Sequence, residues 1–296
     1  MALSFSIVVA TLNRREMLRA AIDSIRTQNW PNIEIIVVDG GSSDGTIESI
    51  TQQPDIILVP GPDNGVYDAF NKGIARASAE IVGILNSDDR FEPGTFSAVA
   101  DAFAANLSAS AVCGTATLVE DGIELARFGD RADKALASPY TALMGSCILN
   151  ARFFRREFMQ RIGPFRIDFH FVADRDWLMR WYEARLTTIP IEHVVYQYSQ
   201  HPGSLTFDPA RRKQQAIYSE LLQLARSWRD NVSASKKTHD AVAILEGRCI
   251  GRLALLSLRS GAIRTAFAEF FQRDGRLSLQ PFCTFARALW GRLIQP

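Results

Sequence analysis

The chain has 296 residues, 47% of them hydrophobic and 22% charged, with a formal net charge of +1. That length holds one large α/β domain with an appendage, and that composition excludes a disordered chain. A charge so near zero supplies no global field toward polynucleotides, so no nucleic-acid partner is expected.

The first hundred residues alternate β-branched apolar runs with helix-period segments, the pattern of a mainly parallel sheet with helices on both faces. Residues 5–10 form the first strand. Residues 15–26 then place Met17, Leu18, Ala21, Ile22 and Ile25 on one helical face, and Asn29-Trp30-Pro31-Asn32 closes the unit. A second strand at 34–38 runs into Asp39. The glycine- and serine-rich turn after it offers Ser43 or Asp44 as cap of a helix carrying Ile47 and Ile50. A third strand at 56–59, a helix at 66–77 and a short buried strand at 81–85 follow. This last strand leads straight into Asn86-Ser87-Asp88-Asp89.

Beyond that point a helix is expected at 95–106, strands at 111–117 and 144–149, and a hairpin turn at Glu120-Asp121-Gly122. Helices are expected at 152–162 and 174–184, broken by Gly163-Pro164, with a strand at 194–198. The stretch from Phe128 to Tyr140 gives no clear pattern. After Pro209 only helix periodicity remains, with Ile217, Leu221, Leu224 and Trp228 in register. The expected organisation is therefore an α/β domain over residues 1–208 and a helical region over 209–296.

The four cysteines, Cys113, Cys147, Cys249 and Cys283, lie far apart without a C-x-x-C pair, which argues against a zinc site and for reduced thiols. The first strand begins too early to leave room for a signal peptide, and no uncharged apolar run reaches about 18 residues. A cytoplasmic chain is the expectation. Its last fifty residues hold eight arginines against two acids, interleaved with Phe267, Phe270, Phe271, Phe282, Phe285 and Trp290. That mixture suits peripheral contact with an anionic membrane surface, and it equally suits a helical bundle with a solvated basic face.

In an open α/β sheet, ligands bind beyond the carboxyl ends of the strands. Here those loops carry Thr11, Asn13 and Arg14, then Asp39, then Asp63 and Asn64, then Asp88 and Asp89. Adjacent acids at a strand end make a hard-oxygen site for Mg²⁺ or Mn²⁺, with phosphate oxygens and water completing the shell. Helix capping by Asp88 would give the same local sequence. The Gly40-Gly41 turn follows the second strand rather than the first, so it is not a dinucleotide fingerprint, and no Walker-type phosphate loop occurs.

Four ordered segments, SIVVATLNR at 6–14, VVDGGSSDGT at 37–46, DNGVYDAFNKG at 63–73 and NSDD at 86–89, resemble family 2 glycosyltransferases of the GT-A fold. The likeness spans about residues 4–205 and leans toward enzymes of bacterial surface-polysaccharide synthesis. It implies an inverting transfer from a nucleotide-sugar, with UDP-sugars favoured, to a hydroxyl of a glycan or lipid-linked glycan. By the same resemblance Thr11 and Asp39 meet the nucleotide, Lys72 faces the diphosphate, and Asp88 and Asp89 serve ribose and metal. Asn86 replaces the usual first acid of that element. Gly145 and Ser146 correspond to the family's acceptor-side glycine loop, and Asp174 to its base, with Asp176 two residues on as the other candidate. His201, in YSQHPGS at 198–204, resembles the histidine that completes the metal or phosphate site. Two other readings fit parts of the pattern. A sugar nucleotidyltransferase shares the sheet, but it should carry a Gly-rich loop after the first strand, and residues 11–15 have no glycine. A non-catalytic binding subunit would explain Asn86 and Ala173.

Overall fold

The computed structural model describes residues 2–146, 148–204 and 213–259. The chain forms two compact units, Met1–Pro209 and Ala210–Pro296.

The first unit is built on β1 (Phe5–Thr11), every residue of which is buried. A strand enclosed on both faces has no polar alternation to show, and FSIVVAT reads accordingly. It pairs in parallel with β2 (Ile33–Asp39) on one side and β4 (Ile81–Asn86) on the other, and β2 pairs in parallel with β3 (Ile56–Pro60). The helices α1 (Arg15–Arg26), α2 (Thr46–Ile50) and α3 (Val66–Arg76) connect them. In α1 the buried residues are Leu18, Ala21, Ile22 and Ile25, the spacing of one helical face, while Met17 is 42% exposed.

The second half of the sheet is antiparallel and mixed. After β5 (Arg90–Phe91) and α4 (Thr95–Ala105) come β6 (Ala111–Glu120) and β7 (Ile123–Phe128), joined through Asp121 and Gly122 at positive φ. Two short helices, α5 (Arg131–Ala135) and α6 (Pro139–Met144), occupy the stretch without a sequence pattern. Then follow a 3-10 turn (Leu149–Ala151), β8 (Arg152–Arg155), α7 (Arg156–Ile162), α8 (Ala173–Glu183) and β9 (Thr188–Ser199). Among the described residues the sheet runs β3-β2-β1-β4-β8-β6-β9-β5, with β7 beside β6. A parallel half thus continues into a half with antiparallel pairings, the layout expected of a GT-A fold.

Two expectations fail here. Of the strand expected at 144–149, Met144 instead closes α6, a helix started by the capping box that Ser138 and Thr141 form around Pro139, and Leu149 opens the 3-10 turn. The helix expected at 152–162 begins as β8, since Phe153 and Phe154 are drawn into the slot between β4 and β6. Local propensity yields there to packing. The second unit contains α9 (Gln214–Arg229) and α10 (Lys236–Arg259), which pack on one another with Arg226 and Arg229 against Glu246. No helix among the described residues is long and apolar enough to cross a membrane. The aromatic-basic tail from residue 260 onward, with Cys283, lies outside the described residues, as does Cys147.

Helix packs tightly on sheet at Gly73 of α3. A Cβ there would sit 2.3 Å from Val8 Cγ1 and 3.1 Å from Val38 Cγ2. Gly73→Ala is expected to cost about 1–3 kcal/mol, as overpacking does, read from the midpoint of urea denaturation at unchanged slope.

Candidate functional site

Parallel registry brings the strand ends level: Thr11 pairs with Asp39, Asp39 with Pro60, and Ala10 with Asn86. The loops that follow are stitched to one another. Asn13, held at φ 51°, donates its N–H to Ser42 Oγ at 2.8 Å and accepts the Ser43 N–H on Oδ1 at 2.8 Å. The third loop presses on the second at Gly40, where a Cβ would lie 2.6 Å from Asp63 Oδ2. Asn64 and Lys72 both meet Asp68, through N–H at 2.9 Å and Nζ at 3.1 Å, and Lys72 also donates to the Pro62 carbonyl at 2.8 Å.

Besides Ser87 Oγ in the turn after β4, two buried oxygens at the ends of β1 and β2 lack a hydrogen-bond partner among the described residues. Asp39 Oδ1 accepts the N–H groups of Gly41 at 2.9 Å and Ser42 at 2.7 Å, whereas Oδ2 has none. Thr11 Oγ1, on the adjoining strand end, is the other. Leaving a buried polar group unsatisfied costs about 1–3 kcal/mol, a cost that a ligand donor removes.

Asp88 and Asp89 diverge in the turn after β4. Asp88 Oδ2 meets Arg14 Nη1 at 2.7 Å and His201 Nε2 at 3.0 Å. Asp89 is buried instead. Its Oδ1 accepts the Ser199 N–H at 2.8 Å, and its Oδ2 accepts Tyr196 OH at 2.8 Å and Asn86 Nδ2 at 2.9 Å. Asp88 and Asp89, expected together at a metal, leave this turn in different directions, and it is Asp88 that stands beside His201. Burial, and after it the charge of Asp88, pushes the Asp89 carboxyl up to about 7 against the pull of those hydrogen bonds. Tyr196 is likewise raised, by burial first and by Asp89 second.

Among the described residues no cluster of three or more His, Cys, Asp or Glu side chains is formed. A carboxylate and an imidazole do converge, and with phosphate oxygens and water they suit Mn²⁺. Arg14 pairs with the same Asp88 oxygen that faces His201. His201 Nδ1 accepts the Gly203 N–H at 3.1 Å, which places the ring proton on Nε2, toward Asp88. Ligation through Nε2 requires the other tautomer and release of that Gly203 contact. A cavity of about 620 Å³ opens from Asp88 and His201 toward Met17, Arg90, Gln197 and Glu124.

The two candidate bases at the start of α8 also differ. Asp174 is half-buried, and its Oδ1 accepts the Arg175 N–H at 2.8 Å. Asp176 is 3% exposed, and its Oδ2 meets Arg180 Nε at 3.0 Å. Arg180 in turn donates to the carbonyls of Ile162 and Pro164, both at 2.8 Å. Asp176 is thus an internal anchor of the 162–164 turn, since residues two apart on a helix face different ways. Trp177 and Trp181 are core residues against Phe154. Gly145 and Ser146 lie beside this helix, for Arg175 Nη1 donates to the Gly145 carbonyl at 3.2 Å. Tyr196, which ties β9 to the acidic turn, escaped sequence reasoning because it sits in an ordinary strand pattern with no motif around it.

The family model described as glycosyl transferase family 2 matches residues 6–179. A Mycobacterium bovis protein named PGL/p-HBAD biosynthesis glycosyltransferase is 29% identical over 206 residues, covering 67% of this chain and 78% of its own. Among solved structures, the mannosyltransferase PcManGT from Pyrobaculum calidifontis, in complex with GDP-Man and Mn²⁺, superposes with a TM-score of 0.63. It shares 19% identity over 100% of this chain and 82% of that one. S. aureus TarS 1–349 in complex with UDP also gives 0.63, at 17% identity, covering 97% of this chain and 87% of that one. Of the longer TarS chain this protein spans 46%.

The raised Asp89 pKa has a sign that can be measured. Between its ordinary value of 3.8 and about 7, the folded state keeps a proton that the unfolded state releases. Stability therefore falls as pH rises through that window and levels off above it. In the ligand-free protein the thermal midpoint is expected to drop across this range, and Asp89→Asn to show a smaller drop than wild type.

Proposed function

Because the chain belongs to glycosyl transferase family 2, we propose that it moves a sugar from a nucleotide-sugar donor onto a hydroxyl of a glycan or lipid-linked glycan, with inversion and with a divalent cation. The observation that carries this reading is the pair of buried, unpartnered oxygens, Thr11 Oγ1 and Asp39 Oδ2, on the strand edge that also bears Asp88. Asp39 Oδ2 is an acceptor awaiting a donor, and the ring N–H of uracil or guanine is such a donor. The UDP complex of TarS and the GDP-Man and Mn²⁺ complex of PcManGT, on the same fold, support a nucleotide-sugar there.

In this reading Thr11 and Asp39 bind the nucleoside, and Asn13 and Asn64 shape the loops around it. Lys72, drawn off Asp68, meets the diphosphate. Asp88 holds the cation, with His201 as a second ligand in its other tautomer. Such a cation, when bound, offsets the charge that builds on the departing diphosphate. Asp89 keeps Asp88 and the 199–201 strand end in place through Tyr196 and Ser199. Across the site, the backbone of Gly145 and Ser146 borders the acceptor. Asp174 takes the proton of the acceptor hydroxyl as its oxygen bonds to the anomeric carbon and the bond from that carbon to the diphosphate breaks. One displacement inverts the centre.

Each assignment separates from the others in a binding and turnover assay. UDP or GDP with Mn²⁺ should raise the thermal midpoint of wild type by mass action. Asp39→Ala should lose that rise altogether, and Asp88→Asn should lose only its Mn²⁺-dependent part. Asp174→Asn should keep the nucleotide shift while turnover drops by about a hundredfold or more. Retention of near wild-type turnover by Asp174→Asn would remove it as the base.

A further inference from the structure

The stretch between β7 and α6 is fastened by buried charges, one its own and one from β8, that sugar transfer as described does not use. The helix α5 has five residues, yet two cations, each 1% exposed, fasten it. Lys134 Nζ donates to the Ile191 carbonyl at 2.9 Å, to Glu192 Oε1 at 3.0 Å and to Thr115 Oγ1 at 3.4 Å. Arg152, the first residue of β8, donates Nη1 to the Lys134 carbonyl at 2.7 Å and Nη2 to the Asp133 carbonyl at 2.6 Å. Burying a cation costs several kcal/mol unless it is paired and hydrogen-bonded. One turn of helix has little packing of its own to offset this. What the two cations fix in common is the backbone of residues 133 and 134, and with it the Asp133 carboxylate.

That carboxylate lies against the glycine loop. Asp133 Oδ2 accepts the Ser146 N–H at 2.9 Å, and Oδ1 is so near the loop that a Cβ on Gly145 would come within 2.2 Å of it. Only glycine leaves that space, and its φ of −78° shows that room rather than backbone freedom is what it supplies. From the other side Arg175 Nη1 donates to the carbonyls of Gly145 at 3.2 Å and Ala142 at 3.4 Å. Arg175 is the residue next to Asp174. The loop is therefore held by an anion on its N–H side and by a cation on its C=O side, and the cation belongs to the turn of α8 that carries the base.

We propose that Asp133 and Arg175 are positioning residues that fix the Gly145–Ser146 loop against the start of α8, and so set where an acceptor hydroxyl stands relative to Asp174. This rests on the sugar-transfer reading for its functional consequence, but the clamp itself does not. It requires Asp133→Ala to weaken the acceptor and spare the donor. Asp133→Asn, which keeps an oxygen for the Ser146 N–H but not the charge, should fall between wild type and Asp133→Ala.

The experiment takes the full chain with Mn²⁺, with UDP-glucose, UDP-N-acetylglucosamine and GDP-mannose as donors and p-nitrophenyl hexosides as acceptors. In Asp133→Ala and in Arg175→Met the acceptor KM should rise about tenfold or more, as expected for loss of a charge-assisted hydrogen bond, with the nucleotide-induced thermal shift unchanged. Hydrogen exchange is read in parallel at the Ser146 amide, which should lose protection in Asp133→Ala and keep part of it in Asp133→Asn. Equal losses in nucleotide binding and acceptor use would mark Asp133 as merely structural and overturn the proposal. Unchanged Ser146 exchange in Asp133→Ala would overturn it as well. If wild type transfers to no acceptor and hydrolyses no donor, the functional reading fails for these substrates, while the Ser146 amide still decides whether the clamp exists.

Discussion

The parallel hydrogen-bond ladder of β1 with β2 and β4 is the constraint from which the site follows. It sets Thr11 level with Asp39, and Ala10 level with Asn86, so three loops begin at the same height. Parallel strands force their connections over the sheet as helices, and those helices bury β1 on both faces. The loops are then left as the place where polar side chains meet solvent and one another. Asn13 with Ser42 and Ser43, and Gly40 with Asp63, turn that shared edge into one surface.

A second constraint joins this parallel half to the antiparallel half. Asp89, Tyr196, Asn86 and the Ser199 N–H form one buried network between the end of β4 and the end of β9. A carboxyl raised to about 7 is held there against the preference of its charged form for water. The network brings His201, two residues past β9, onto Asp88. A cluster of aromatic rings, Phe5, Phe91, Phe96, Phe153 and Tyr196, packed mostly edge-on or tilted, gives the two halves a common core. One acid of the adjacent pair thus builds the site while the other faces it.

The Gly145–Ser146 loop is organised by different means. No parallel ladder places Gly145 and Ser146; short helices and buried cations do. Lys134 and Arg152 convert a stretch with little regular structure into a fixed support, and Arg175 ties that support to α8. The strand-end loops and the Gly145–Ser146 loop are therefore held mainly by different interactions, which is why substitutions at one are expected to leave the other readable.

The sequence by itself determined the parallel core and its loops. Continuous apolar runs, helix-period faces and turn residues are local signals, and they mark Thr11, Asp39, Asn64 and Asp88 as strand-end residues from spacing alone. The order of motifs also carried the family. Only the tertiary structure decided what each side chain meets. The divergence of Asp88 from Asp89, and the capture of Asp176 by Arg180, depend on partners more than a hundred residues away or on which helix face is buried. Arg152–Arg155 became a strand because β4 and β6 left a slot for it, and α5 is fastened by Lys134, whose partners lie on β9 and β6, and by Arg152 of β8, which donates to carbonyls of α5. Such long-range pairings leave no periodicity in the chain, since the free energy that selects them comes from burial and charge compensation rather than local propensity.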